Sequence, residues 1–193
     1  MEISPVRRLL THSIYGRVLD VGCGAGSKAL LQSMNHCKYV VGCDLLLPSI
    51  KRVKMVYDDA VYCDVQALPF APGFFDVVTA FEIVEHVTFP KALKLIATLE
   101  TLGSRVIITT VQEGGIHTMS ASKELAMHRC RITPRVFRKL GYKVRGTQPK
   151  GKLKPKLIYR LRKLWNYYYT RSARDIIAIK QKSQPVPTSN EKY

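Results

Sequence analysis

Glu82-Ile-Val-Glu85-His86 places two carboxylates and an imidazole within five residues. Such a set can ligate a divalent cation, or one member can take a proton from an acceptor. If a helix opens there, Glu85 and His86 share a face with Glu82. Three more carboxylates stand at telling positions. Asp20 precedes the glycine turn Gly22-Cys-Gly24-Ala-Gly26, Asp44 closes Tyr39-Val-Val-Gly-Cys43, and Asp64 closes Ala60-Val-Tyr-Cys63. A carboxylate two residues before such a turn opposes a pyrophosphate but can pair with a cationic amino-acid group. One at the end of a second strand can accept both hydroxyls of a ribose. One after a third strand can accept from an adenine amino group.

These side chains need elements to aim them. Val18, Leu19 and Val21 suit a strand covered on both faces. Glycines at 22, 24 and 26 permit positive φ and let backbone approach a ligand closely. Ser27 to Leu31 then supplies helix formers. The spacing is G-x-G-x-G rather than the G-x-G-x-x-G of dinucleotide-binding turns. Strand, helix and strand alternate with short connections as far as Thr110. This pattern predicts a doubly wound, mostly parallel α/β sheet in one domain. Asp76 to Phe81 is the fourth strand, and 105–109 the fifth. Between them, 89–99 reads as a helix with Leu93, Ile96 and Ala97 toward the core. Thr133 and Pro134 open a later helix that Gly141 ends. Strands follow at 142–145 and 174–180. Residues 4–12 read as a short helix, 111–127 as a loop near the site, and 183–193 as a disordered tail.

The ordered segments VLDVGCGAG, VVGCD, CDVQALPF and FFDVVTAFEIVEHV resemble those of class I S-adenosylmethionine-dependent methyltransferases. The resemblance covers about residues 15–110. It implies a Rossmann-like sheet with a reversed last strand and S-adenosylmethionine as cofactor. It also implies that Asp20, Gly22 and Gly24 border the methionine part, that Asp44 holds the ribose, and that Asp64 with Val65 reads the adenine. Leu45 and Phe81 complete the implied cofactor contacts. The E-x-x-E-H segment is similar to that of ubiquinone-biosynthesis and RNA 3′-end O-methyltransferases. Both have a later histidine before a helix start, which matches His128 ahead of Thr133. Glu82, Glu85, His86 and His128 are therefore the candidate catalytic and metal-binding residues, with His86 as a metal-free base in the alternative. A non-catalytic cofactor- or nucleic-acid-binding protein of this fold is the other class of reading.

Composition bounds the partners. The 193 residues fit one domain over 1–182, with a cofactor-binding half at 15–110 and a basic half at 123–182. No stretch approaches the ~20 apolar residues of a membrane span. Five cysteines without a C-x-x-C pair read as small fillers in a reducing, cytoplasmic setting. Residues 1–122 carry 11 Lys/Arg and 11 Asp/Glu, so the net +17 lies in the last 71 residues, which have 20 Lys/Arg and 3 acids. Within them, 155–169 reads as an amphipathic helix. Leu157, Leu161, Leu164 and Tyr168 form its stripe, Trp165 widens it, and cations flank it. That pattern suits a peripheral helix at an anionic membrane surface. The runner-up partner is RNA stacked on Trp165 and Tyr167 to Tyr169, and the bland alternative is plain packing on the sheet. The expected acceptor is a small or lipid-linked molecule, with RNA as the alternative.

Overall fold

The computed structural model describes Leu10 and residues 13–112, 127–146 and 175–182. The expected basic helix at 155–169, the tail at 183–193, most of the 111–127 loop and nearly all of the 4–12 helix lie outside the described residues. Seven strands form one sheet: β1 (Gly16–Val21), β2 (Cys37–Asp44), β3 (Asp59–Tyr62), β4 (Phe75–Phe81), β5 (Gly103–Val111), β6 (Lys143–Gly146) and β7 (Asp175–Gln181). Their order is β3-β2-β1-β4-β5-β7-β6. The first five pair in parallel, and β7 runs antiparallel to both β5 and β6. The expected reversed last strand is present, inserted beside β5 and not at the edge.

The buried sequences of β1 and β4 explain their central places. Val18, Leu19, Val77, Val78 and Ala80 are inaccessible to solvent, as strands covered on both faces require. One face packs against α1 (Lys28–Leu31) and α2 (Leu47–Val53) through Leu30, Ile50 and Val53, with Leu10 and Ile14 beside them. The other packs against α3 (Phe89–Leu102) and α4 (Pro134–Lys139) through Leu95, Leu99 and Phe137. The helix that the alternating pattern requires between β2 and β3 is α2, opened by Pro48. In α3 the buried stripe is Ala92, Leu95, Ile96, Leu99 and Leu102. Leu93 is only half-buried and Ala97 is exposed, so the expected stripe is rotated, with Ile96 its one shared member. Thr133 caps α4 by accepting from the Val136 N–H at 3.4 Å, and Gly141 leaves that helix at φ +86°. No helix among the described residues is long and apolar enough to cross a membrane.

Candidate functional site

The parallel strands end on one side of the sheet, and the expected residues gather there. The glycine turn is tied down first. The N–H groups of Gly22 and Cys23 both donate to the Cys43 carbonyl, at 2.8 and 3.0 Å, so the turn is anchored to the end of β2. Gly22, Gly24 and Gly26 have φ of +67°, +54° and +96°. A side chain at Gly22 would collide with the Ile83 side chain, whereas one at Gly24 would meet nothing within 4 Å. The turn is thus closed against Ile83 on one side and open over Gly24, a cradle that backbone alone can line.

Asp20 approaches the turn from the core side. It is 2 % exposed and sits beneath the turn. Thr79 Oγ1 donates to its Oδ1 at 2.6 Å and the Tyr57 hydroxyl to its Oδ2 at 2.9 Å. Tyr57 in turn accepts from the Ser27 N–H at 3.2 Å. The carboxylate therefore braces both ends of the turn from below. Burial raises its pKa from 3.8 to about 6, against the lowering effect of the bonds from Thr79 and Tyr57. Sequence reasoning missed Tyr57 and Thr79. The signal was available for Thr79, a lone hydroxyl in an apolar strand, which pairs with Asp20 across β1 and β4.

Asp44 is half-buried at the end of β2. Its Oδ2 accepts from the Gly24 N–H at 2.9 Å and its Oδ1 from the Leu46 N–H at 2.8 Å, which orients the carboxylate toward the turn. Leu45 beside it is 40 % exposed. The Cys63 N–H donates to the Asp44 carbonyl at 3.1 Å, which brings the segment after β3 alongside. There Asp64 is exposed and accepts from the Gln66 N–H at 2.9 Å, while Val65 is half-buried against the core. Phe81 is half-buried at the end of β4. The ends of β1, β2 and β3 thus present an open glycine cradle and two carboxylates in line, a donor set that fits a nucleoside carrying an amino-acid arm.

The second constellation follows β4. Its backbone is not the α-helix that would align Glu82 with Glu85 and His86. Glu82 has φ +55°, an uncommon conformation for a residue with a side chain, and Val84–His86 is a single 3-10 turn. The strain sits where β4 must turn its end inward. Glu85 is fully buried, and Thr110 Oγ1 donates to its Oε2 at 2.9 Å. Among the described residues its Oε1 has no hydrogen-bond partner, and neither has His86 Nδ1. Burial, reinforced by the neighbouring charge of Glu82, raises the Glu85 pKa from 4.5 to about 8. Burial lowers that of His86, which favours a neutral imidazole.

His128 reaches this cluster from 42 residues further along the chain. The Glu85 carbonyl accepts from the N–H groups of Arg129 and Cys130, at 2.7 and 3.2 Å. The Gln112 amide donates to the Ile132 carbonyl at 3.2 Å. These bonds strap the segment onto the ends of β4 and β5. The His86 and His128 rings meet edge to face with centroids 5.1 Å apart. Ligand atoms of Glu85, His86 and His128 all lie within 4.8 Å of one another. The expected residues thus converge in space, with Glu82 adjoining through Glu85. A buried, unsatisfied carboxylate oxygen beside two imidazoles is a donor set that suits a divalent transition metal. Thr110 is the member that sequence inspection missed.

Comparison with known proteins agrees with this reading of the fold. Residues 19–108 match the family model described as a methyltransferase domain. The ubiquinone biosynthesis O-methyltransferase of Bordetella bronchiseptica is 36% identical over 104 residues, which are 49% of this chain and 42% of that protein. The chain spans about half the length of the curated relatives it matches. Among solved structures, the small RNA methyltransferase HEN1 superimposes with a TM-score of 0.65 at 13% identity, over 97% of this chain and 25% of that one. A SAM-dependent methyltransferase from Archaeoglobus fulgidus gives 0.60 at 16% identity, over 91% and 94%. With the glycine cradle, the strand order and the ordered acids in view, the chain has the fold of the class I S-adenosylmethionine-dependent methyltransferases, and its residues 19–108 carry the sequence pattern of a methyltransferase domain.

Proposed function

We propose that the protein transfers a methyl group from S-adenosylmethionine to an oxygen of its acceptor, and that Glu82, Glu85, His86 and His128 hold a divalent cation beside that oxygen. The observation that carries this reading is the convergence of Glu85, His86 and His128, with the buried Glu85 Oε1 and His86 Nδ1 left without a hydrogen-bond partner among the described residues. The sulfonium is already an activated donor, so the chain must chiefly align the acceptor with it and manage one proton. Gly22 and Gly24 admit the amino-acid arm, Asp44 takes the ribose hydroxyls, and Asp64 with Val65 and Leu45 borders the adenine. Asp20 acts from beneath, holding the turn. A cation in the second cluster supplies charge stabilisation for an acceptor oxygen that is losing its proton. Where no cation is held, neutral His86 is instead the group placed to receive the proton; in either case Thr110 fixes the carboxylate of Glu85.

The acceptor class proposed first is a small or lipid-linked molecule, in keeping with O-methyltransferase relatives of the ubiquinone and malonyl-[acyl-carrier protein] types. A cytoplasmic setting, with the basic half meeting an anionic membrane surface, belongs to the same proposal. The second reading, RNA, is favoured by Arg129 and Arg131, which stand exposed within the strap just after His128. Labelled methyl transfer into cell extract, separated into lipid, RNA, protein and small-molecule fractions, discriminates the acceptors. Transfer is expected to fall in excess chelator and return with an added divalent ion. Full transfer in chelator removes the metal, and failure to bind S-adenosylhomocysteine removes the methyltransferase reading itself.

A further inference from the structure

The sheet carries a second cavity, on the β5–β7–β6 side and far from the glycine turn. Its volume is about 310 Å³. Strand register explains its lining. Arg105 pairs with Gln181, Lys143 with Ile179, and Arg145 with Ile177. Paired residues project to one side of a sheet, so cations from the two outer strands flank an isoleucine floor. Ile177 is buried and Ile179 is half-buried. Lys180 also lines the cavity, and no carboxylate does among the described residues.

The four cations are not equivalent. Lys180 is held by Glu100 at 2.7 Å. Arg105 donates to the Gln181 side chain and to the Ser13 carbonyl, which fixes its guanidinium at the cavity wall. Lys143 and Arg145, one residue apart on the edge strand, are exposed and have no acidic partner among the described residues. Two cations uncompensated among the described residues match the charge of about −1.5 to −2 on a phosphate monoester at neutral pH. A guanidinium can grip two phosphate oxygens at once, and the ammonium adds a point charge. The isoleucine floor offers an apolar surface to whatever the phosphate is attached to.

Position separates this cavity from the methyl-transfer centre. Thr110, which bonds Glu85, lies five residues beyond Arg105 on the same strand, roughly 17 Å at ~3.3 Å per residue. We propose that this cavity is a second, non-catalytic binding site for a phosphate ester, with the phosphate on Lys143 and Arg145 and its organic part over Ile177 and Ile179. The shared chemistry is a phosphate joined to an apolar group, whether a soluble ester or a lipid headgroup supplies it. The site does not depend on the identity of the acceptor.

Calorimetric titration of the full chain with n-octyl phosphate and with inorganic phosphate tests it. The octyl ester is expected to bind more tightly than inorganic phosphate. The double variant Lys143→Gln/Arg145→Gln is expected to lose about tenfold or more of that affinity while binding S-adenosylhomocysteine like the parent. The pair Lys51→Gln/Arg52→Gln, exposed on α2, removes the same charge elsewhere and should leave octyl phosphate binding unchanged. Sedimentation with vesicles of phosphatidylcholine and phosphatidic acid identifies the source. Reduced sedimentation of the Lys143/Arg145 variant supports a lipid headgroup; unchanged sedimentation with weakened octyl phosphate binding supports a soluble ester. Equal affinity of parent and variant for octyl phosphate, equal loss in the α2 pair, or no preference for the octyl chain overturns the proposal.

Discussion

Asp20 and Glu85 show how one side-chain type takes two roles in this protein. Both are buried carboxylates with raised pKa values, but Asp20 has a donor on each oxygen, whereas one oxygen of Glu85 has none among the described residues. The folded state holds the Asp20 proton up to about pH 6, while the unfolded chain releases it near 3.8. Stability from this group is therefore present at low pH and lost as pH rises through 6, a loss of about 3 kcal/mol for a shift of about two units. Asp20→Asn removes that dependence. Relative to the parent, the variant should gain stability between pH 4 and pH 7, which urea denaturation at the two pH values measures. For Glu85, the hydroxyl of Thr110 is the orienting group. Thr110→Val keeps the shape and deletes the donor, so divalent-metal affinity should fall about tenfold or more while S-adenosylhomocysteine binding stays. Titration calorimetry with each ligand separates the two effects. Thr110 and Thr79 were hard to see in sequence because threonine is also a good strand residue; its role shows only once register sets it beside a carboxylate.

At the scale of elements, the glycine turn and the 3-10 turn are one mechanical unit. Ile83 lies where a side chain at Gly22 would need to be, so the segment that carries Glu82 and Glu85 rests on the cofactor turn. Gly22→Ala meets both a positive φ and this collision, whereas Gly24→Ala meets the strain alone. The first should lower the melting temperature more than the second, and both should weaken S-adenosylhomocysteine. An equal melting temperature for the two would contradict the contact. The order of the first elements was readable because β1 to β4 are compact apolar runs closed by a glycine or an acid. The path after β4 was not. Glu82, Ile83, Val84, Glu85 and His86 have helical spacing, but Glu82 adopts φ +55° and the chain makes only a 3-10 turn. Tertiary demands on the end of β4 override local preference there. The α3 stripe was misplaced for a similar reason, since Leu93 and Ala97 are as apolar as their neighbours and only the packing partner chooses among them.

Over the whole molecule, charge and architecture divide differently. The sheet is continuous through both halves, whereas the described stretch 127–146 carries seven Lys/Arg and no acid. All seven are exposed. Charge asymmetry was legible from composition, and the cavity that concentrates part of it was not, because it depends on which strand lies beside which. Backbone amide exchange should be slowest in β1 and β4, which have a strand on each side and side chains inaccessible on both faces. It should be faster in β3 and β6, the two edges. Exchange followed by mass spectrometry checks this, and equal protection of β6 and β4 would argue against the strand order.

The place of β7 has a consequence for how the chain is made. β6 pairs only with β7, and β7 is the last of the seven strands in the chain. During synthesis the first five strands can assemble as they emerge, and the cofactor cradle with them. β6 then waits without a neighbour until residues 175–181 arrive to fill the gap beside β5. A ribosome-bound chain halted before Asp175 would hold the nucleoside side of the site ready while its sixth strand had nowhere to dock.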